Sequence, residues 1–141
     1  MALTLYWGSG SPFSWRVLLA LEHKGLPYES QLLHFDKQEQ QSPQMLKLNP
    51  RGRVPVLKDG DYVVFESVAV LYYLDVKYPQ VPIFGGGPEE AGVIMRVICE
   101  FMAYAEPSLL KIVSAIFAGQ VAENIDELTD AMHVVAREAR T

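Results

Sequence analysis

Three short stretches carry residue types that could do chemistry. Ser11 lies in Gly8-Ser9-Gly10-Ser11-Pro12, a break between an apolar run and a helical pattern. A hydroxyl there meets free backbone N–H groups and the positive end of a helix dipole, a setting that favours an anion. The same residue is a good N-cap, so capping its own helix is the alternative role. Arg53-Val54-Pro55-Val56 puts a proline where a hairpin strand opens, an unusual place because proline cannot donate to the ladder. A cis bond would turn the Val54 backbone outward to pair with an extended ligand, whereas a trans edge proline would not. Glu66-Ser67 falls at a later strand-to-helix junction. There Ser67 can offer backbone N–H groups to a carboxylate and Glu66 can accept from an ammonium. Alone, that pair reads as an ordinary helix start. Together the three offer an anion-stabilising hydroxyl, an exposed backbone pair and a zwitterion site. That set suits a small peptide with a free amino-acid end and a reactive thiol.

These residues need elements to hold them. Leu3–Trp7 reads as a buried strand, followed by a helix from Pro12 to Lys24 that Ser11 caps and Gly25 terminates. Tyr28–Leu33 reads as a second strand, residues 36–42 as a polar loop, and Ser42-Pro43 as the start of a short helix reaching Leu48. Val54–Leu57 and Tyr62–Phe65 are β-rich runs around Lys58-Asp59-Gly60-Asp61, and Asp-Gly between such runs signals a hairpin turn. Ser67 to Tyr78 returns to helical spacing, with Val70, Tyr73 and Leu74 on one face, and Pro79 stops it. The order is βαβ, then α, then ββα. A βαβ unit makes two parallel strands with a right-handed crossover, and the hairpin adds antiparallel ones. The expectation is a mixed four-stranded sheet with the three chemical stretches at successive strand ends along one edge.

Residues 79–88 are linker-like, with Pro79, Pro82, Gly85-Gly86-Gly87 and Pro88. Beyond them the spacing is helical. Pro88-Glu89-Glu90 opens a helix, and Ile94, Val97, Ile98, Phe101 and Ala105 recur on it, continued by Leu109, Ile112, Val113, Ile116 and Phe117. Pro107 predicts a bend or restart. Asn124 with Glu127 predicts a capping box before a second amphipathic helix carrying Ile125, Leu128, Met132, Val135 and Ala139. The domain expectation is an α/β domain over 1–80, a linker over 81–88 and a partial all-α domain over 89–141.

Composition narrows the function classes. Half of the 141 residues are hydrophobic and 21% are charged, which excludes disorder. Cys99 is the single cysteine, so no disulfide framework is available, and its simplest reading is a small apolar helix residue. Residues 1–83 balance 8 basic against 8 acidic side chains, while residues 84–141 hold 4 against 9, so the whole net charge of −5 sits in the second part. That balance lacks the footprint of a nucleic-acid binder. The stretch interrupted by Arg96 and Glu100 falls short of the ~18 apolar residues of a membrane span, and no basic leader precedes the first strand. The expectation is therefore a cytoplasmic protein with no membrane partner. His23, His34 and His133 have no metal-ligand spacing. Tyr72, Tyr73, Phe101 and Tyr104 read as core or interface aromatics.

The stretches Ser11-Pro12-Phe13-Ser14-Trp15-Arg16-Val17, Leu48-Asn49-Pro50-Arg51-Gly52-Arg53-Val54-Pro55-Val56-Leu57 and Phe65-Glu66-Ser67-Val68-Ala69-Val70-Leu71-Tyr72-Tyr73-Leu74, in that order and spacing, resemble the thioredoxin-like domain of glutathione S-transferases. The first is similar to the serine-type tau class and partly to zeta. Glu39-Gln40-Gln41-Ser42-Pro43 and the Asn-Pro-x-Gly motif resemble phi. The resemblance implies a fold: a thioredoxin-like α/β domain followed by a truncated all-α domain holding the first two long helices of a set of at least four or five. It also implies glutathione as co-substrate, an apolar electrophile, no metal and a homodimer that uses the helix starting at Pro88.

Residue by residue, the resemblance implies that Ser11 hydrogen-bonds the glutathione sulfur and holds it as thiolate. Val54, before a cis Pro55, would pair with the cysteinyl backbone; Glu66 and Ser67 would hold the γ-glutamyl end; Arg53 lies within reach of the peptide. Phi members place a basic pair for the glycine carboxylate where this chain has Gln40 and Gln41, which leaves Lys37, Arg51 or Arg53 as substitutes. Ser14 is a second hydroxyl near the sulfur position. Ser11-Pro12-Phe13-Ser14 lacks the two cysteines of dithiol exchange, and it departs from the Ser-Ser-Cys of zeta-type isomerases. The expected activity is conjugation of the thiolate to small apolar electrophiles, a detoxification chemistry. The rival is a weak or inactive module that keeps the fold for protein–protein contact.

Overall fold

In the computed structural model, which describes residues 3–140, four strands build one mixed sheet in the order β2-β1-β3-β4. β1 (Leu3–Gly8) runs parallel to β2 (Tyr28–Leu33), with Leu3 opposite Tyr28 and Gly8 opposite Leu33. β3 (Val56–Asp59) is antiparallel both to β1, through Tyr6 opposite Val56, and to β4 (Tyr62–Phe65), through Val56 opposite Phe65. The crossover helix α1 spans Pro12–His23, α2 spans Pro43–Leu48 and α3 spans Ser67–Lys77. This is the thioredoxin-like arrangement expected. The C-terminal end of β1, the N-terminal end of β3 and the C-terminal end of β4 lie side by side, as their registers require.

Three local expectations are corrected. β3 begins at Val56, not Val54, because Pro55 has no N–H for the ladder; the Val54–Pro55 bond is cis. Asp59 pairs with Tyr62, so the hairpin turn is Gly60-Asp61, with only Gly60 at positive φ (61°). That is the pattern of a turn with glycine in its first central position. The polar loop contains a short 3₁₀ turn at Glu39–Gln41.

The core follows from strand alternation and helix period. Leu3 and Leu5 of β1 meet Leu57 of β3, Val17 and Leu21 of α1, and Val70 and Leu74 of α3, all buried. Each such side chain contributes ~1.5–3 kcal/mol of burial. A polar clamp closes this unit at its C-terminal end. The ammonium of Lys24, whose side chain is 1% exposed, donates to the carbonyls of Tyr78 (2.9 Å) and Val81 (2.6 Å) and pairs with the Asp75 carboxylate at 2.7 Å. Asp75 in turn accepts from the backbone N–H groups of Ile83 (2.7 Å) and Phe84 (3.0 Å). The chain divides into two compact units after Phe84.

The second unit is helical throughout: α4 (Pro88–Glu100), a wide π turn (Phe101–Ala105), α5 (Glu106–Ala118) and α6 (Ile125–Glu138). The helix widens into the π turn and restarts as α5 at Glu106, with Pro107 in its first turn, where the missing N–H and the ring are tolerated. The capping box at Asn124 is absent: its side chain forms no cap bond and its Nδ2 donates back to the Gln120 carbonyl at 2.9 Å. α5 and α6 pack together, burying Ala115 on one and Leu128 and Ala131 on the other.

One further expectation changes here. The continuous 31-residue run Pro88–Ala118 is long and apolar enough to cross a membrane, by length and composition only. Its apolar weight lies beyond Arg96 and Glu100, in residues such as Leu109, Leu110, Ile112 and Val113. Cys99 lies on α4 and is exposed, and Tyr72, Phe101 and Tyr104 are also exposed, which leaves the interface half of their reading.

Candidate functional site

Ser11 is buried at the N-cap of α1, and its Oγ accepts a hydrogen bond from the Ser14 N–H at 3.2 Å. The capping role is therefore formed. A hydroxyl that accepts from the backbone keeps its own proton to donate, so capping fixes the oxygen at the helix N-terminus and leaves it a donor for an anion. Ser14 is fully buried and its Oγ accepts from the Gly8 N–H at 3.4 Å. This second hydroxyl ties α1 to β1.

Beside that strand end is a cavity of about 100 Å³ lined by Phe13, Asn49, Arg53, Val54, Pro55, Glu66 and Ser67. It is smaller than the ~300–1,000 Å³ that enclose a drug-sized ligand and is sized for one end of a longer molecule. Val54 precedes the cis Pro55. Glu66 stands at φ 69°, ψ 113°, a region that side-chain-bearing residues rarely occupy and one that costs ~1–3 kcal/mol. Strain of this kind concentrates where a backbone must be held for function. It turns the chain sharply from β4 into α3, so that Ser67 is the first helical residue and its N–H has no partner within the helix. Ser67 itself is buried.

Of the residues singled out in the sequence, Arg53, Val54, Pro55, Glu66 and Ser67 share this cavity, whereas Ser11, Gln40 and Gln41 do not line it. Ser11 is at the neighbouring strand end, two residues before the lining Phe13. Gln41 is occupied with the loop: its Nε2 donates to the Gly52 carbonyl at 3.0 Å. Gly52 is at φ 59°, and a Cβ there would come within 2.4 Å of the Gln41 amide, so glycine permits the contact. The Gln40 Oε1 is buried with no hydrogen-bond partner among the described residues.

Three contributors went unassigned in the sequence. Asn49, 3% exposed, braces the 49–53 loop: its Nδ2 donates to the Arg53 carbonyl (2.9 Å) and its Oδ1 accepts from the Arg51 N–H (3.1 Å). Arg16, on α1, donates from Nη1 to the Ser67 Oγ at 2.9 Å, and its guanidinium carbon is 5.6 Å from the Phe13 ring centre. Phe13 forms a cavity wall. The sequence signal was an asparagine before Pro50 and a charged residue within an otherwise apolar helix. Neither shows from spacing alone which loop or helix it reaches.

At the opposite end of β3 sits a separate ionic cluster. A hydrogen bond from the Lys77 ammonium, helped by one from the Tyr73 hydroxyl at 2.8 Å, outweighs burial and holds the Asp59 carboxyl below the usual range. Lys77 is raised, chiefly by Asp59, and Tyr73 is raised, first by burial and then by its bond to Asp59. This cluster joins α3 to the hairpin and lies away from the cavity. Among the described residues no group of three His, Cys, Asp or Glu side chains could hold a metal ion.

The family model "Glutathione S-transferase, N-terminal domain" matches residues 1–76. Glutathione S-transferase A of Pleuronectes platessa is 47% identical over 77 residues, which are 54% of this chain and 34% of that protein. A crystal structure of a glutathione S-transferase from the Antarctic clam Laternula elliptica is 34% identical, with a TM-score of 0.79 over 99% of this chain and 63% of its own. A glutathione transferase homologue from Sulfitobacter, solved with bound glutathione, is 27% identical, with a TM-score of 0.80 over 99% of this chain and 67% of its own. The segment matched to the plaice relative is about a third of that protein's length. Matched through more than half its length, and sharing the fold through nearly all of it, the chain belongs to the glutathione S-transferase superfamily.

Proposed function

We propose that this chain is a serine-type glutathione transferase, with tau-, phi- and zeta-like features. The observation that carries the reading is the meeting of Arg53, Val54, cis Pro55, Glu66 and Ser67 in one cavity beside the strand end that carries Ser11. Ser67 and the N-terminus of α3 receive the glutamyl α-carboxylate, and the exposed Glu66 accepts from the ammonium. Val54 pairs with the cysteinyl backbone. The Ser11 hydroxyl donates to the sulfur. Gln40 and Gln41 serve the glycine end, with Arg53, which lines the cavity, or Arg51 or Lys37 as the cation for its carboxylate. The Sulfitobacter homologue was solved with bound glutathione, which supports glutathione as the ligand.

Lowering a thiol pKa by about two units requires ~2.7 kcal/mol of preferential thiolate stabilisation. A hydrogen bond to a charged group supplies ~1.5–3 kcal/mol and a helix N-terminus ~0.3–1. Ser11 and α1 suffice for that step, with no general base and no metal called upon. The thiolate then attacks an electrophilic carbon of an apolar compound; the new bond is carbon–sulfur, and the leaving group departs with its electron pair, or the pair moves into an acceptor in an addition. A cytoplasmic, detoxifying role fits a chemistry that consumes reduced glutathione.

A homodimer is part of the proposal. Val93, Val97, Phe101 and Tyr104 are exposed at spacings of four, four and three along one helical run, a stripe suited to a second copy. The same exposed stripe favours the rival reading, a binding module without turnover. Conjugation of an aryl halide and retention on immobilised glutathione decide between them. The enzyme reading expects both from the wild type, with Ser11→Ala retained on the resin but losing most conjugation. Failure of the wild type in both assays supports the module.

A further inference from the structure

We propose that Arg16 is a positioning residue that sets Ser67 for recognition of a ligand carboxylate; the inference rests on the reading of this cavity as the γ-glutamyl site. The Arg16 guanidinium comes from α1, 51 residues away in sequence, and donates to the Ser67 Oγ at 2.9 Å. A serine hydroxyl that accepts from a guanidinium has no reason to point its own hydrogen back at that cation. Its O–H is directed elsewhere, and Ser67 is both buried and a cavity wall, so the hydrogen is aimed at the ligand. Ser67 also begins α3, which places its free backbone N–H on the same carboxylate. Arg16 thus converts an ambivalent hydroxyl into a committed donor.

The guanidinium is itself held. Its carbon lies 5.6 Å from the centre of the Phe13 ring, within cation–π range, and Phe13 is another wall of the cavity. The arrangement connects α1, which carries Ser11 at its N-terminus, with α3, which carries Ser67 at its own. Lysine has one compact ammonium and lacks the planar fork, so it can restore the charge but not both contacts.

The test measures Kd by calorimetry on the full chain, with glutathione and with the analogue whose glutamyl α-carboxylate is replaced by hydrogen. Arg16→Met, which keeps an apolar stem near Phe13, is expected to weaken glutathione about tenfold, the scale of one lost charge-linked hydrogen bond. It should leave the affinity for the analogue without that carboxylate within about twofold of the wild type's own value, and Arg16→Lys should recover part of the loss for glutathione. Equal losses for both ligands would overturn the proposal, since a purely structural role weakens both alike, and so would no loss for either. If Arg16→Met does not fold, Arg16→Lys alone decides: a loss confined to glutathione supports the proposal and a loss shared by both ligands refutes it. A wild type that binds neither ligand defeats the γ-glutamyl reading first and this inference with it, whereas a wild type that binds glutathione without discrimination at Arg16 defeats the inference alone.

Discussion

At the scale of single residues, two positions combine structural and chemical duties that mutation can separate. Ser11 caps α1 through its bond from the Ser14 N–H and is proposed to donate to the thiolate. Ser11→Ala should lower the stability of the first unit by about 1 kcal/mol, the usual worth of an N-cap, as read by urea denaturation. Glu66 is held at φ 69°. Glu66→Gly relieves that strain and should leave stability unchanged or raise it by up to ~1 kcal/mol, while weakening glutathione binding through loss of the ammonium acceptor. Chemical denaturation with calorimetry of the same variant measures both, and a fall in stability would show that the backbone there is not strained. Ser11, Pro55 and Glu66-Ser67 were legible in the sequence because turn-forming residues stood at element junctions. Asn49 and Arg16 were not, because their partners, Arg53 and Ser67, are set by how loops and helices pack.

At the scale of elements, the Lys24–Asp75 clamp fastens α1, the end of α3 and residues 78–84 together. Burial opposes ionisation of Asp75, yet the Lys24 hydrogen bond and the two backbone N–H groups of Ile83 and Phe84 outweigh it and hold the carboxyl below its ordinary value. Asp59 is likewise lowered, chiefly by Lys77. Both carboxylates therefore bind protons more weakly folded than unfolded. Their contribution is fully present above the unfolded carboxyl range near ~4 and is lost as pH falls below it. Denaturant midpoints should drop on acidification through that window. In Asp75→Asn the drop should be smaller and the neutral-pH stability lower by about 3–5 kcal/mol, since Lys24 is left buried without its counter-charge. An unchanged acid slope in that variant would show that Asp75 does not carry the effect. The strands and helices of this unit follow the expected periods closely. The shift of β3 to start at Val56 follows from the missing Pro55 N–H, which the strand pattern around it masks.

At the scale of the whole molecule, the two units differ in how they satisfy their apolar residues. The first has a core of fully buried Leu and Val side chains, while in the second Ile116, Phe117 and Met132 are 59–69% exposed. Periodicity told where those helices run but not which faces are covered, because burial depends on a packing partner that spacing does not specify. The exposed stripe Val93–Val97–Phe101 gives a test of the dimer. Analytical ultracentrifugation should show concentration-dependent dimerisation, abolished by Val97→Glu; a monomer at all concentrations would exclude it.

The central claim, that Ser11 and the N-terminus of α1 hold glutathione as thiolate, is tested most directly by titrating the ultraviolet absorbance of bound thiolate against pH. Wild type should show a midpoint about two units below the ~8.5 of a free thiol, and Ser11→Ala should return most of that shift. A wild-type midpoint at the free-thiol value, with glutathione bound, would contradict the claim.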